Sequence, residues 1–195
     1  MGQKHFQLLE QSAEKIAINF FQEIPPFEFI KIEGKSYVDF SRTHRHVSQK
    51  KGCPQLPNYS ESYIIPSTGA SNIEISYDSY QEYKGIEVVP SKGNLTRDVK
   101  PSSVPYYFGK VYQQDVFYPK SMLTKTSPFI LRTIRGQVVQ VCPYQYNPVR
   151  KILRVYNNLK INIVTNPSEK GKNELTETDV SSLDAFNYKN TFGNS

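Results

Sequence analysis

The feature that most restricts this chain is an alternation of apolar and polar residues with a period of two. Ile73-Glu74-Ile75-Ser76-Tyr77 alternates cleanly, and residues 151–156 and 159–164 do so nearly as well. Successive side chains on a strand point to opposite faces, so such runs build sheets with one buried and one wet face. Residues 129–134 predict a further strand, Arg135-Gly136 a turn, and residues 137–141 the returning strand. Tyr146-Asn147-Pro148 punctuates before the next run. Short strands at this spacing, separated by Gly, Pro and Asn turns, predict an all-β fold: an antiparallel β-sandwich of jelly-roll-like kind.

The first forty residues are less one-sided. Leu9, Ala13, Ile16, Ala17 and Phe20 fit a helical face, while Ile16, Ile18 and Phe20 equally fit a strand. The β character of everything downstream favours strands. Pro25-Pro26 ends the segment, and residues 27–32 and 36–40 read as a hairpin around Gly34. Two stretches read as long loops. Residues 42–60 carry Arg42, His44, Arg45, His46, Lys50 and Lys51 among turn formers. Residues 90–105 carry Lys92, Arg97, Asp98 and Lys100 between Pro90, Gly93, Pro101 and Pro105. Residues 1–165 therefore form the sandwich domain. Residues 166–195 form a polar tail whose few apolar anchors are Leu175, Leu183, Phe186 and Phe192, too few to hold it tightly without a partner.

Composition excludes several classes. At 195 residues, with 37% hydrophobic residues including 14 Tyr and 11 Phe, the chain can bury a real core. Its 24 basic and 18 acidic residues leave a net charge of +6, a weak argument for nucleic acid. No apolar run approaches the ~18 residues that a membrane helix needs. Met1-Gly2 is followed by no apolar stretch of signal-peptide kind, and Phe6 stands where a myristoylation signal wants Ser or Thr.

Catalytic constellations are not evident. Cys53 and Cys142 form no Cys-x-x-Cys pair and are expected to be free thiols; neither has the context that activates a nucleophile. His44-x-His46 lacks a third ligand and is flanked by Arg42 and Arg45, which repel a cation, so it reads as a solvated loop. No P-loop, dinucleotide fingerprint or nucleophile elbow is present, and the carboxylates are scattered. The chain does not read as an enzyme, and no cofactor is expected. Arg132, Arg135, Arg150, Lys151, Arg154 and Lys160 interleave with Tyr144, Tyr146 and Tyr156. That pattern reads first as the solvated face of a sheet, and otherwise as a stacking platform for single strands or sugars.

An ordered series of motifs is more specific. Val88-Val89-Pro90-Ser91-Lys92-Gly93 precedes Val104-Pro105-Tyr106-Tyr107-Phe108-Gly109, then Phe117-Tyr118-Pro119. Pro128-Phe129-Ile130-Leu131-Arg132-x-x-Arg135-Gly136-Gln137-Val138-Val139 follows. The series closes with Gln145-Tyr146-Asn147-Pro148-Val149 and Leu153-Arg154-Val155-Tyr156. Upstream stands Gly52-Cys53-Pro54-x-Leu56-Pro57. This series closely resembles the N-terminal prodomain of gingipain-type cysteine peptidases, the Arg-specific branch most of all. It is dense over residues 88–164 and thinner at both ends.

The resemblance implies an all-β prodomain that assists folding of the peptidase following it and keeps that peptidase latent, in cis or in trans. It also implies passage through the periplasm and secretion. The chain departs from the pattern in showing no signal peptide and in ending at Thr191-Phe192-Gly193-Asn194-Ser195 with no peptidase domain and no terminal Arg. It is expected to be an isolated prodomain, a truncated gene or a stand-alone inhibitor. In the Arg-specific branch an arginine shortly after the Pro-Ser-Lys-Gly motif enters the S1 pocket of the peptidase. The matching position is Arg97, flanked by Thr96 and Asp98. Read from the residues, the segment is a loop between Gly93 and Pro101 with a long donor fork near its tip. A guanidinium fits a carboxylate-floored pocket through two parallel hydrogen bonds. The alternative of another class is a secreted adhesive or carbohydrate-binding β-module.

Overall fold

Alternation becomes pairing in the computed structural model, which describes residues 5–175 and 192–194. The strands are β1 (Phe6–Gln11), β2 (Lys15–Phe21), β3 (Phe29–Ile32), β4 (Lys35–Val38), β5 (Tyr59–Ile64), β6 (Ala70–Ser76) and β7 (Gln81–Lys84). Then come β8 (Leu123–Thr124), β9 (Phe129–Leu131), β10 (Ile134–Val141), β11 (Tyr144–Asn147), β12 (Ile152–Val155) and β13 (Asn158–Asn166). Helix among the described residues is confined to short 3₁₀ turns, Phe40–Arg42, Pro101–Ser103 and Lys110–Gln113.

Two antiparallel sheets face each other and make the all-β sandwich. The first runs in the order β1-β2-β13-β6; the second runs β5-β10-β8, with β9 also on β10. In the first sheet Ile16, Ile18 and Phe20 pair with Ile163, Ile161 and Leu159 across β2 and β13. Their shared face is therefore continuous and apolar. It packs against Tyr63, Leu123, Val139 and Val141 of the second sheet, all in one buried cluster. Each such side chain taken fully out of water contributes about 1.5–3 kcal/mol.

A third sheet, β11-β12-β7, builds a second core with help from irregular chain. Val38, Phe40, Leu56 and Val88 join Tyr144, Tyr146, Leu153 and Val155 there. The hairpin around Gly34 is present as β3 and β4, and Gly34 takes the left-handed φ of 80° that its tight turn requires.

Three readings of the sequence are corrected. The turn in the 129–141 hairpin lies at Arg132-Thr133, where Leu131 pairs with Ile134, not at Arg135-Gly136. Arg135 and Gly136 belong to β10, and Arg135 is only 1% exposed. A Cβ on Gly136 would meet Phe129 Cζ at 2.5 Å and Phe192 Cε1 at 2.8 Å. The glycine is thus there for packing between rings. Second, Tyr146-Asn147 is strand rather than punctuation. Third, Tyr144, Tyr146 and Tyr156 are buried, so they present no stacking face. Arg150, Lys151, Arg154 and Lys160 pair with Asp115, Glu87, Glu82 and Asp78. The basic stripe is thereby neutralised locally.

The tail is held wherever it is described. Arg135 donates to the carbonyls of Pro66 (2.9 Å) and Lys172 (2.7 Å). Glu174 Oε1 accepts from the N–H groups of Gly69 and Gly171, and the Leu175 N–H donates to Ser67 O. Phe192 is buried. Leu183 and Phe186 lie outside the described residues.

Candidate functional site

The segment 90–106 leaves the second core and returns to it without forming a strand. Its root is sewn to the preceding loop. Pro90 bridges Pro54, the Ser91 N–H donates to Cys53 O at 2.8 Å, and the Gly52 N–H donates to Ser91 O at 2.9 Å. Gly52 O in turn accepts from the Gly109 N–H. These bonds satisfy a backbone that carries no ladder of its own. Gly93 then turns the chain outward with a φ of +90°, and a Cβ there would lie 3.2 Å from Lys51 Cβ.

Lys92 closes the neck of the loop. Its ammonium donates to Pro101 O at 2.6 Å and sits 4.0 Å from the centre of the Tyr106 ring. One cation thus ties the outgoing limb of the loop to the returning one. Sequence reasoning placed Lys92 in a motif but gave it no role, and it assigned none to Tyr106. Pro101–Ser103 forms a 3₁₀ turn in which Ser103 Oγ donates to Lys100 O at 2.8 Å, stiffening the return. A cleft of about 480 Å³ lies between Asn94, Leu95 and Pro101 on the loop and Asp39, Ser41 and Gln55 on the body. The tip therefore stands away from the domain.

That tip holds the three residues expected from the sequence. Thr96, Arg97 and Asp98 are all exposed. The Val99 N–H donates to Thr96 O at 3.1 Å, so Arg97 and Asp98 occupy the two central positions of a closed turn. The Asp98 carboxyl is held below its ordinary range, first by the Thr96 hydroxyl and then by its own backbone N–H. Among the described residues Arg97 has no ion-pair partner, whereas Arg42, Arg150 and Arg154 each have one.

The other candidate residues are placed as follows. Cys53 and Cys142 are free thiols. Cys142 is buried, its Sγ donates to Tyr144 O at 3.3 Å, and burial pushes its pKa up to about 12. A thiol so held is not a nucleophile near neutrality. His44 is not simply solvated: its ring packs on Phe40, Tyr59 and Tyr144, while His46 is exposed. Burial lowers the His44 pKa. His44 and His46 line one cavity with His5, yet no cluster able to hold a metal ion occurs among the described residues.

A braced loop that presents an exposed arginine without an ion-pair partner among the described residues defines a class: a binding domain that presents a loop. The chain belongs to the Propeptide_C25 family, whose model matches residues 3–192. As a propeptide domain it is not itself catalytic. It is 39% identical over 145 residues to gingipain R1 of Porphyromonas gingivalis, covering 74% of this chain and 14% of that protein. It is 38% identical over 147 residues to gingipain R2 of the same species, covering 20% of its length. The chain therefore spans a small part of the curated relatives it matches. Among solved structures it superposes on a chain of the complex of Porphyromonas gingivalis RgpB pro- and mature domains. That match has a TM-score of 0.84 and 30% identity over 97% of both chains. The structure describing zymogenic latency of gingipain K shares the fold, with a TM-score of 0.66 at 16% identity over 83% of this chain and 92% of that one.

Proposed function

We propose that this domain assists the folding of a gingipain-type, Arg-specific cysteine peptidase and keeps it latent by inserting Arg97 into its S1 pocket. The observation that carries the reading is the tip of the 92–106 loop: an arginine without an ion-pair partner among the described residues, on a closed turn above a braced neck. A peptidase that cuts after arginine must offer a buried anion, and the guanidinium fork satisfies it through two parallel hydrogen bonds. Preorganisation of the neck reduces the ordering cost of inserting the loop.

Two features favour inhibition over cleavage. The Arg97–Asp98 bond lies inside a hydrogen-bonded turn, whereas a peptide in a protease cleft is extended. Asp98 would set a negative charge beside the attacking thiolate, and the Thr96 hydroxyl and its own N–H hold that carboxyl below its ordinary range. Secretion through the periplasm together with the peptidase belongs to the same proposal.

The adhesive or carbohydrate-binding alternative loses its support because the tyrosines it needed, Tyr144, Tyr146 and Tyr156, are buried. Mixing the folded domain with an Arg-specific gingipain-type peptidase tests the proposal. Stoichiometric loss of cleavage after arginine is the expected result. Full peptidase activity in a molar excess of folded domain would overturn it.

A further inference from the structure

Among the described residues the second sheet ends at β5, which pairs with β10 on one side only. An edge strand leaves N–H and C=O groups pointing outward, ready to pair with another chain. Ser62 and Ile64 are two such residues, and the Ser62 carbonyl and both backbone groups of Ile64 are occupied. The Gly193 N–H donates to Ser62 O at 2.8 Å. Asn194 then behaves as a backbone amide would. Its Oδ1 accepts from the Ile64 N–H at 2.7 Å, and its Nδ2 donates to Ile64 O at 2.9 Å.

Beside these bonds lies a fitted apolar seat. Phe192 is 5% exposed and buried with Ile134, Ile64 and Phe129. Its ring runs nearly parallel to that of Phe129, at 10° and 6.1 Å between centres. The seat exists because residue 136 has no side chain: a Cβ there would lie 2.8 Å from Phe192 Cε1. The middle position of the bound segment is equally restricted. A Cβ on Gly193 would meet Tyr63 Cε1 at 2.8 Å and Glu61 Cδ at 2.9 Å. Each of the three positions thus has its own selection: an aromatic ring, no side chain, and a carboxamide.

We propose that the β5 edge is a recognition site for a Phe-Gly-Asn turn, filled by the chain's own residues 192–194. The site fixes where the chain leaves the domain. In a chain that continues past Ser195, it therefore sets the origin of the tether to whatever follows, and with it the effective concentration of the Arg97 loop. That consequence rests on the proposed latency role. The test below reads the domain alone, so either idea can fail without the other.

Amide hydrogen exchange on the full 195-residue chain reads the occupancy of the edge. In the wild type the Ile64 and Gly193 amides should be protected. Asn194→Ala removes both hydrogen bonds to Ile64 and should speed its exchange roughly tenfold to a hundredfold. Phe192→Ala should release both amides. The Ile65 amide, which donates to Arg135 O within the sheet, should stay protected in both variants and report an intact fold. A synthetic hexapeptide of residues 190–195 should restore Ile64 protection in the Phe192→Ala chain, and the same peptide carrying Gly193→Val should not. Unprotected Ile64 in the wild type, or protection unchanged by both variants, would overturn the proposal. So would a hexapeptide that restores nothing. Wild-type protection that appears only with a dimer would assign the occupant to a second copy and overturn own-chain seating.

Discussion

The sheet β1-β2-β13-β6 and the loop 92–106 are held by different physics. In the sheet, seven consecutive register pairs join β2 to β13, and the inward residues are almost wholly excluded from water. In the loop, order comes from one lysine on a carbonyl and a ring, one short 3₁₀ turn and one closed turn at the tip. The sheet derives its stability from area, which no single polar group controls. The loop derives its shape from a few polar pins and buries little. Stability and inhibition should therefore separate when residues of each region are changed.

The largest stability effect belongs to the sheet. Phe20 is fully buried and packs edge-on against Phe6 and Tyr59. Phe20→Ala should cost about 3–5 kcal/mol, read as a lower urea midpoint. An unchanged midpoint would break the contrast with the loop. Gly136→Ala comes next. Its new methyl overlaps the Phe129 and Phe192 rings, and overpacking of that kind costs about 1–3 kcal/mol, measurable in the same titration.

Smaller still is the effect of pH through His44. Burial lowers its pKa from the usual value of about 6.5, so the unfolded chain takes up the proton first. The stability that neutral His44 contributes is full above the unfolded pKa and is lost as pH falls through the folded one. Urea midpoints should therefore drop between neutral and mildly acidic pH. His44→Gln should flatten that part of the profile, and an unaltered profile would contradict it. The smallest effect belongs to the loop tip. Arg97→Ala should move the unfolding free energy by less than about 0.5 kcal/mol, since Arg97 is exposed and unpaired among the described residues.

The same division explains what the sequence disclosed. β6, β12 and β13 were legible because one face of each is buried or half-buried, which imprints a period of two on neighbouring residues; β2 carries the same period but fits a helical face too. Gly136 was misread because its reason for being glycine lies in Phe129 and Phe192, neither adjacent in sequence. Tyr144 and Tyr146 looked like surface residues because what covers them includes irregular chain around Phe40 and Leu56, whose packing leaves no local pattern; Tyr156 lies in the other core, covered by Tyr77 and Tyr80. At the candidate site, Gly93 and the prolines marked a loop, and the family resemblance alone singled out Arg97. The clamp of Lys92 on Pro101 and Tyr106 joins residues far enough apart that only the folded chain displays it.

The central claim is that inhibition resides in the loop tip while stability resides in the sheets. The inhibition constants of wild type, Arg97→Ala and Arg97→Lys against an Arg-specific gingipain-type peptidase test it most directly. Removing one partner of a buried interfacial charge pair costs about 2–5 kcal/mol, so Arg97→Ala should weaken inhibition roughly 30-fold to several thousand-fold. Arg97→Lys should recover part of that loss, because an ammonium lacks the two-pronged fork. A folded Arg97→Ala domain that inhibits as well as wild type would contradict the account.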